Sequence, residues 1–145
     1  MHIFTDQRIK HILSLSPAII YTCKVDRAFG ATFVSENITP LFGYSTRECL
    51  DNPDFWWDNI HPDDRERITA SQHYDILIVK GHYVHEYRFR KKDGSYAWVL
   101  DELRLIRDSE GNHVEIVGSW LDITDRKETE NALRESEALD RKSVV

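Results

Sequence analysis

Between His82 and Arg107 the chain alternates in side-chain character on either side of Asp93-Gly94, and few architectures can use such a segment. Successive side chains of a strand point to opposite faces. Residues 82–90 therefore put Tyr83, His85, Tyr87 and Phe89 on one face, and His82, Val84, Glu86 and Arg88 on the other. Asp93-Gly94 predicts a tight hairpin turn, because both central positions of the favoured turn take positive φ. Residues 96–107 then return as the partner strand, residues 108–112 turn again, and residues 113–121 form a further strand. An antiparallel sheet of this kind must bury one face, so the rest of the chain has to supply the layer that covers it.

The preceding residues can supply it. Residues 7–15 place Ile9, Ile12 and Leu13 at helical spacing, and Ser16-Pro17 ends that helix. Residues 18–25 are rich in β-branched and aromatic side chains and read as a strand, with residues 31–34 as the hairpin partner across a turn at 26–30. Ser35, Glu36 and Asn37 offer caps for a short helix carrying Ile38, Leu41 and Phe42, which Gly43 stops. Ser45-Thr46 opens a second short helix, and Asn52-Pro53 breaks the chain before the aromatic cluster Phe55-Trp56-Trp57, read as core. Pro62, Asp63 and Asp64 suit the start of a longer helix that runs through Ile68, Ile76 and Val79 to Gly81. The expected fold is α+β: a five-stranded antiparallel sheet with short helices on one face, flanked by an N-terminal and a C-terminal helix.

The organisation follows as a flanking helix over residues 1–15, a domain over 16–125, and a charged helix over 126–145. In the last segment Glu130–Arg134 and Glu137–Arg141 have the favourable i,i+4 spacing. Thr129, Ala132, Ser136 and Leu139 form a short coiled-coil seam, with a solvated tail helix as the plainer alternative.

Composition removes several function classes. A chain of 145 residues that is 41% hydrophobic can bury one core without disulfides. Its net charge of −6 argues against nucleic acid as a partner. Cys23 and Cys49 form no C-x-x-C pair, so no disulfide framework or zinc site is legible and a cytoplasmic, reducing setting is expected. Apolar runs such as 76–79 fall far short of the about 20 residues a bilayer requires, and residues 1–10 lack the apolar run of a signal peptide, so no direct membrane contact is expected. No nucleophile string or phosphate loop stands out, His82 and His85 point to opposite strand faces, and His61 with Asp63-Asp64 is explained by helix capping. No catalytic residue and no metal site is expected.

Four strings, in order, give a more specific signal: Asn37-Ile-Thr-Pro-Leu-Phe-Gly-Tyr-Ser45, Ile60-His-Pro-Asp-Asp-Arg65, Glu86-Tyr-Arg-Phe-Arg-Lys-Lys-Asp-Gly94 and Gly118-Ser-Trp-Leu-Asp-Ile-Thr-Asp125. Together they resemble the PAS family, including its C-terminal PAC half, over roughly residues 15–127. The resemblance implies a small cup walled by sheet and short helices, inside sensor histidine kinases, diguanylate cyclases, phosphodiesterases and similar proteins. It also implies that Asp122, Ile123 and Thr124 form the junction between last strand and output helix, with Thr124 as a helix cap. Flavin-binding relatives carry a reactive cysteine in a Gly-x-Asn-Cys string, whereas Cys49 lies several residues too early and reads as inert and packed. Haem-binding relatives use a histidine on the long helix, where His73 is the only candidate and reads instead as an exposed helical residue. Neither flavin nor haem is expected, which leaves an unidentified small molecule as the ligand.

Strand alternation turns Tyr87, Phe89, Val99, Asp101, Ile116 and Trp120 towards the helices as pocket candidates. Asp101 is the exception in that apolar set, since a buried carboxylate needs a partner or a ligand donor. A register slip or an open rim is the alternative. Trp98, Leu100, Val117 and Leu121 fall on the opposite face, which then needs a cover. The N-terminal helix around Ile9 and Ile12, or a second subunit, can supply one, and Trp98, Leu100 and Leu121 are the expected homodimer face. Asp122 is expected to hold the output helix by capping and by pairing with Arg104 or Arg107. The function expected is a sensory and dimerisation module that relays ligand or partner state to an output domain of the same parent chain. The alternative is a ligand-free structural interaction domain.

Overall fold

The computed structural model describes residues 2–70 and 73–143. Helix α1 (His2–Leu15) leads into the hairpin β1 (Ala18–Cys23) and β2 (Ala31–Val34). Five short helices follow: α2 (Ile38–Phe42), α3 (Thr46–Asp51), α4 (Phe55–Asp58), α5 (Pro62–Ala70) and α6 (His73–Lys80). Strands β3 (His82–Arg90), β4 (Tyr96–Arg107) and β5 (His113–Asp122) come next, and α7 (Thr124–Ser143) closes the order. The five strands form one antiparallel sheet in the order β2-β1-β5-β4-β3, so the first and last strands are neighbours at its centre. The expected α+β architecture is the observed one. No helix among the described residues is long and apolar enough to cross a membrane.

One face of the sheet and the short helices share a single core. Ile19, Tyr87, Phe89, Val99 and Ile116 from the strands meet Ile38, Phe42, Phe55, Ile68 and Leu77 from the helices. Asp64 ties α5 to this sheet. Its carboxylate accepts the backbone N–H of Arg88 at 2.8 Å and two guanidinium hydrogen bonds at 2.9 and 3.0 Å. Burial pushes the Asp64 carboxyl up, but the hydrogen bonds and charge of Arg88 outweigh it and hold the group below the usual range.

Local chemistry departs from expectation at several points. Asn37 makes no side-chain cap on α2. Its amide instead donates to the carbonyls of Ser16 and Ala18, and the Ser35 hydroxyl bridges from it to the Ile20 backbone N–H. The polar run before α2 thus staples the start of β1 to the helical layer, a long-range duty that local capping statistics do not contain. Ser45 and Glu48 do form a capping box on α3, with Ser45 accepting from the Glu48 N–H and Glu48 from the Ser45 N–H. The turn at Asp93-Gly94 has positive φ only at Gly94. Asp93 stays outside that region, and its carboxylate accepts both the N–H and the hydroxyl of Ser95. The helix expected up to Gly81 is seen as α5 and α6 on either side of residues 71–72, which lie outside the described residues.

The outer sheet face is not covered by α1, whose Ile9 and Ile12 are 49% and 60% exposed. Trp98 on that face is instead covered by the Arg88 guanidinium at 5.2 Å and the Lys127 ammonium at 4.9 Å from its ring centre.

Gly118 on β5 is the point where the sheet depends on a missing side chain. Tyr21 stands opposite it on β1, and its ring lies across the glycine. A Cβ at position 118 would sit 2.2 Å from the Tyr21 Cζ. Gly118→Ala is expected to cost about 1–3 kcal/mol in urea denaturation, the scale of overpacking in a closed core. Unchanged stability would mean that the Tyr21 ring is free to move aside.

Candidate functional site

The crossing of Tyr21 over Gly118 has a destination. Its hydroxyl reaches past β5 and donates to Asp101 Oδ1 on β4 at 2.5 Å. On the other side β3 brings His85 directly opposite Asp101, with Tyr87 two residues along the same face. The Tyr87 hydroxyl donates to Asp101 Oδ2 at 2.8 Å, and His85 Nε2 lies 3.2 Å from the same oxygen. Trp56 of α4 closes the network by donating its indole N–H to the Tyr87 hydroxyl at 2.8 Å. The Asp101 and His85 side chains are only 2% and 6% exposed.

These contacts answer how a carboxylate can sit in an apolar core. Burial of such a group is costly unless its oxygens are hydrogen-bonded. Here three side chains from two strands converge on it, and hydrogen bonds to a charged acceptor are among the stronger ones. Burial, followed by the Asp101 charge, pushes the Tyr21 and Tyr87 hydroxyls well above their ordinary pKa, so both remain donors. The neighbouring thiols are also held protonated. Burial raises both Cys23 and Cys49 to about 12, helped by Asp101 at Cys23 and by Glu48 at Cys49. Cys49 donates its thiol to the Ser45 carbonyl at 3.3 Å. A thiol in that state is a poor nucleophile.

A cavity of about 240 Å³ lies between this cluster and the short helices. Ile19, Val34, Ile38 and Leu103 give it aliphatic walls, and Phe55, Trp56 and Trp120 give it aromatic ones. Asp101, His85 and His73 supply its polar side. Of the six pocket candidates, Asp101 and Trp120 line the cavity. Tyr87, Phe89, Val99 and Ile116 share their face but are fully buried in the packing around it. Asp101 is thus neither out of register nor at a rim.

Four contributors were missed or misplaced from sequence. Sequence pattern identifies Tyr21 and Trp56 only as strand and core residues, and it puts His85 on the correct face without a role. His73 is not an exposed helical residue. It lines the cavity, stacks on Phe29 at 5.4 Å between ring centres, and lies 5.6 Å from His85. Burial, then the neighbouring His85, lowers its pKa and favours the neutral ring. No group of three or more His, Cys, Asp or Glu side chains among the described residues is disposed to hold a metal ion. The Trp120 ring lines the cavity, and its indole N–H is buried with no partner among the described residues. An unpaired buried donor costs about 1–3 kcal/mol.

The strand-to-helix junction begins close to this floor. Trp120 pairs with Asp101 across β4 and β5, and Asp122 lies two residues further along. Asp122 Oδ1 accepts the N–H and the hydroxyl of Thr124 at 2.9 and 2.6 Å, which sets the entry into α7. The backbone N–H of Trp98 donates to the Thr124 hydroxyl and its carbonyl accepts from Ile123. Thr124 therefore ties the helix to β4 as well as opening it.

The expected pairing of Asp122 with Arg104 or Arg107 is not made. Arg104 lies beside Glu102 at 3.7 Å, and Arg107 donates to the Ile78 carbonyl at 3.1 Å. The ion-pair anchor of α7 is Glu86 on the outer face of β3, which contacts both Arg126 and Lys127 at 2.6 Å. Lys127 first, then Arg126, draws the Glu86 carboxyl below its ordinary pKa despite partial burial. Alternation put Glu86 on the outer face, but nothing in the sequence said which cations would return to it.

Residues 31–120 match the protein family described as PAS fold. The chain is 30% identical over 135 residues to the two-component sensor PprA of Pseudomonas aeruginosa, covering 90% of this chain and 14% of that protein. It is 32% identical over 130 residues to the methyl sulfide methyltransferase-associated sensor of Methanosarcina acetivorans, covering 89% of this chain and 13% of that protein. The chain therefore spans only about one seventh of the length of these relatives. A solved structure of a sensory box histidine kinase/response regulator from Burkholderia thailandensis superposes with a TM-score of 0.68 at 31% identity, over 93% of this chain and 98% of that one. With the fold, the matched residues and these relatives in agreement, the chain belongs to the PAS family and is a PAS sensor domain similar to those of two-component sensors.

Proposed function

We propose that this domain senses the occupancy of its cavity and relays it through β4 and β5 to α7, within a larger bacterial signal-transduction protein. The observation that carries this reading is the short covalent distance between the two ends. Asp101 and Trp120 line the cavity on paired strands, and three residues from Asp101 the backbone of Trp98 holds Ile123 and Thr124. A shift at Asp101 or Trp120 is thus presented directly to the residues that set the start of the helix. The relatives' names, a two-component sensor and a sensory box histidine kinase, support an output of histidine kinase or diguanylate cyclase type on the same parent chain. The segment itself is proposed to be non-enzymatic and cytoplasmic, without nucleic-acid or direct membrane contact.

Neither flavin nor haem is part of the proposal. Cys49 is packed with its thiol bonded to Ser45, and His73 is stacked between Phe29 and His85. The buried carboxylate cluster and cavity favour a ligand-binding role over a purely structural one.

A clamp of this size needs only modest energy. Contacts on the scale of one helix cap, about 1–2 kcal/mol, shift a two-state population about tenfold. Glu86→Gln and Asp122→Ala are expected to leave the domain folded, by thermal melting, while changing the output of the intact parent protein in either direction. If both variants leave output untouched, α7 is a tether and the relay fails.

Homodimerisation is proposed through the outer face at Trp98, Leu100 and Leu121 and along α7, where Leu133 and Leu139 are 60% and 67% exposed. Light scattering over a concentration series is expected to show a dimer that Leu100→Lys with Leu121→Lys dissociates. A monomer at all concentrations contradicts it.

A further inference from the structure

We propose that the turn between β1 and β2 is a movable lip of the cavity, with Phe29 as its seal and Arg27 as its latch, and that ligand passes beneath it; the proposal rests on the sensory reading given above. Exposure locates the mouth. Of the residues lining the cavity, Lys24 and Ala31 at the turn and Leu50, Asn52 and Pro53 around the end of α3 are exposed to solvent. The opening therefore lies between those two segments, and the turn forms one side of it.

The turn's backbone bonds to itself. The Lys24 N–H donates to the Gly30 carbonyl at 3.0 Å, and Asp26 Oδ1 accepts the N–H groups of Ala28 and Phe29 at 3.0 and 2.9 Å. Side chains then hold it to the helical layer. Arg27 pairs with Asp75 of α6 at 2.7 Å, and its guanidinium lies 4.8 Å from the Tyr74 ring centre. The Phe29 ring packs on Trp56 of α4 and on His73 and Tyr74 of α6, at 6.0, 5.4 and 5.8 Å between ring centres.

Two observations make this contact one that opens. Among the described residues Phe29 is the one non-glycine residue with positive φ, at 52°. A bulky side chain is strained in that region and stays there only while its surroundings hold it. Releasing the ring thus leaves the closed backbone disfavoured. Second, Phe29, Trp56 and His73 also line another cavity, of about 250 Å³, bordered by the exposed residues Arg27, Trp57 and Asp75. The three rings are a shared wall, and the outer space gives the Phe29 ring room to withdraw. The latch is weak as well, because the Arg27 and Asp75 side chains are 72% and 49% exposed and such pairs are screened by solvent and salt.

Cys23 supplies the reporter, since it lines the cavity and is only 4% exposed. Methyl methanethiolsulfonate is small and uncharged. Once the thiol proton has passed to solvent, the thiolate attacks the reagent's sulfenyl sulfur, methanesulfinate leaves, and a methyl disulfide that mass spectrometry can locate remains on Cys23. Phe29→Gly keeps the turn's backbone, because glycine takes positive φ freely, and removes the seal. It is expected to label Cys23 about tenfold faster than wild type, the scale of lost ring packing. Arg27→Glu is expected to label it about threefold faster, the scale of an exposed ion pair, and adding Asp75→Arg should restore the wild-type rate. Urea denaturation of each variant separates local opening from global unfolding. A wild-type rate in either single variant, no rescue by Asp75→Arg, or acceleration that only follows lost global stability overturns the proposal. If Phe29→Gly does not fold, the Arg27 and Asp75 variants decide alone. Labelling involves neither ligand nor output, so the relay still stands or falls on Glu86→Gln and Asp122→Ala in the parent protein.

Discussion

A carboxylate with no lysine or arginine beside it, at the centre of an otherwise apolar sheet face, is the constraint around which this domain is arranged. Asp101 is stable there only if hydrogen-bond donors reach it from other elements. Tyr21 comes from β1, His85 and Tyr87 from β3, and Trp56 supports Tyr87 from the helical layer. Each donor fixes something larger than itself. The reach of Tyr21 requires a glycine at position 118, the pairing of His85 fixes the β3–β4 register, and the Trp56 bond sets the distance between α4 and the sheet.

The same arrangement leaves a cavity and places one end of it near the exit of the chain. Because the cluster spends its donors on Asp101, the space above it is mostly apolar. Strand pairing then carries position from Asp101 and Trp120 to Trp98, Ile123 and Thr124 without an intervening loop. Outside the sheet, Glu86 and Trp98 hold Arg126 and Lys127 by charge and by cation–π contact. The two faces of β3 and β4 thus carry different contacts: the inner face lines the cavity and the outer face holds the helix.

Sequence periodicity revealed the sheet because its signal is local. Alternation in residues 82–90 and 96–107 placed Tyr87, Phe89, Val99 and Asp101 on the buried face, where they are found. It also identified Asp101 as a group in need of partners. It could not name those partners, because Tyr21 lies 80 residues away and meets Asp101 only through the crossing at Gly118. The same limit explains Asn37, read as a cap but bonded to Ser16 and Ala18, and Glu86, whose cations arrive from α7. His73 was misread for a related reason. Its burial comes from packing against Phe29 and His85, neither of which a helical periodicity can see.

A relay of the kind proposed requires the cavity floor and the helix junction to form one mechanical unit. Amide hydrogen exchange at Ile123 and Lys127, compared between the wild-type domain and Asp101→Asn with both folded, tests it most directly. The Ile123 N–H is held by the Trp98 carbonyl and the Lys127 N–H by that of Ile123, so both report on the start of α7. If the unit is real, weakening the Asp101 cluster accelerates exchange at both amides by about tenfold, the scale of a coupling of 1–2 kcal/mol. If exchange quickens only among the residues around the cavity while Ile123 and Lys127 keep their wild-type rates, floor and junction are independent and no relay connects them.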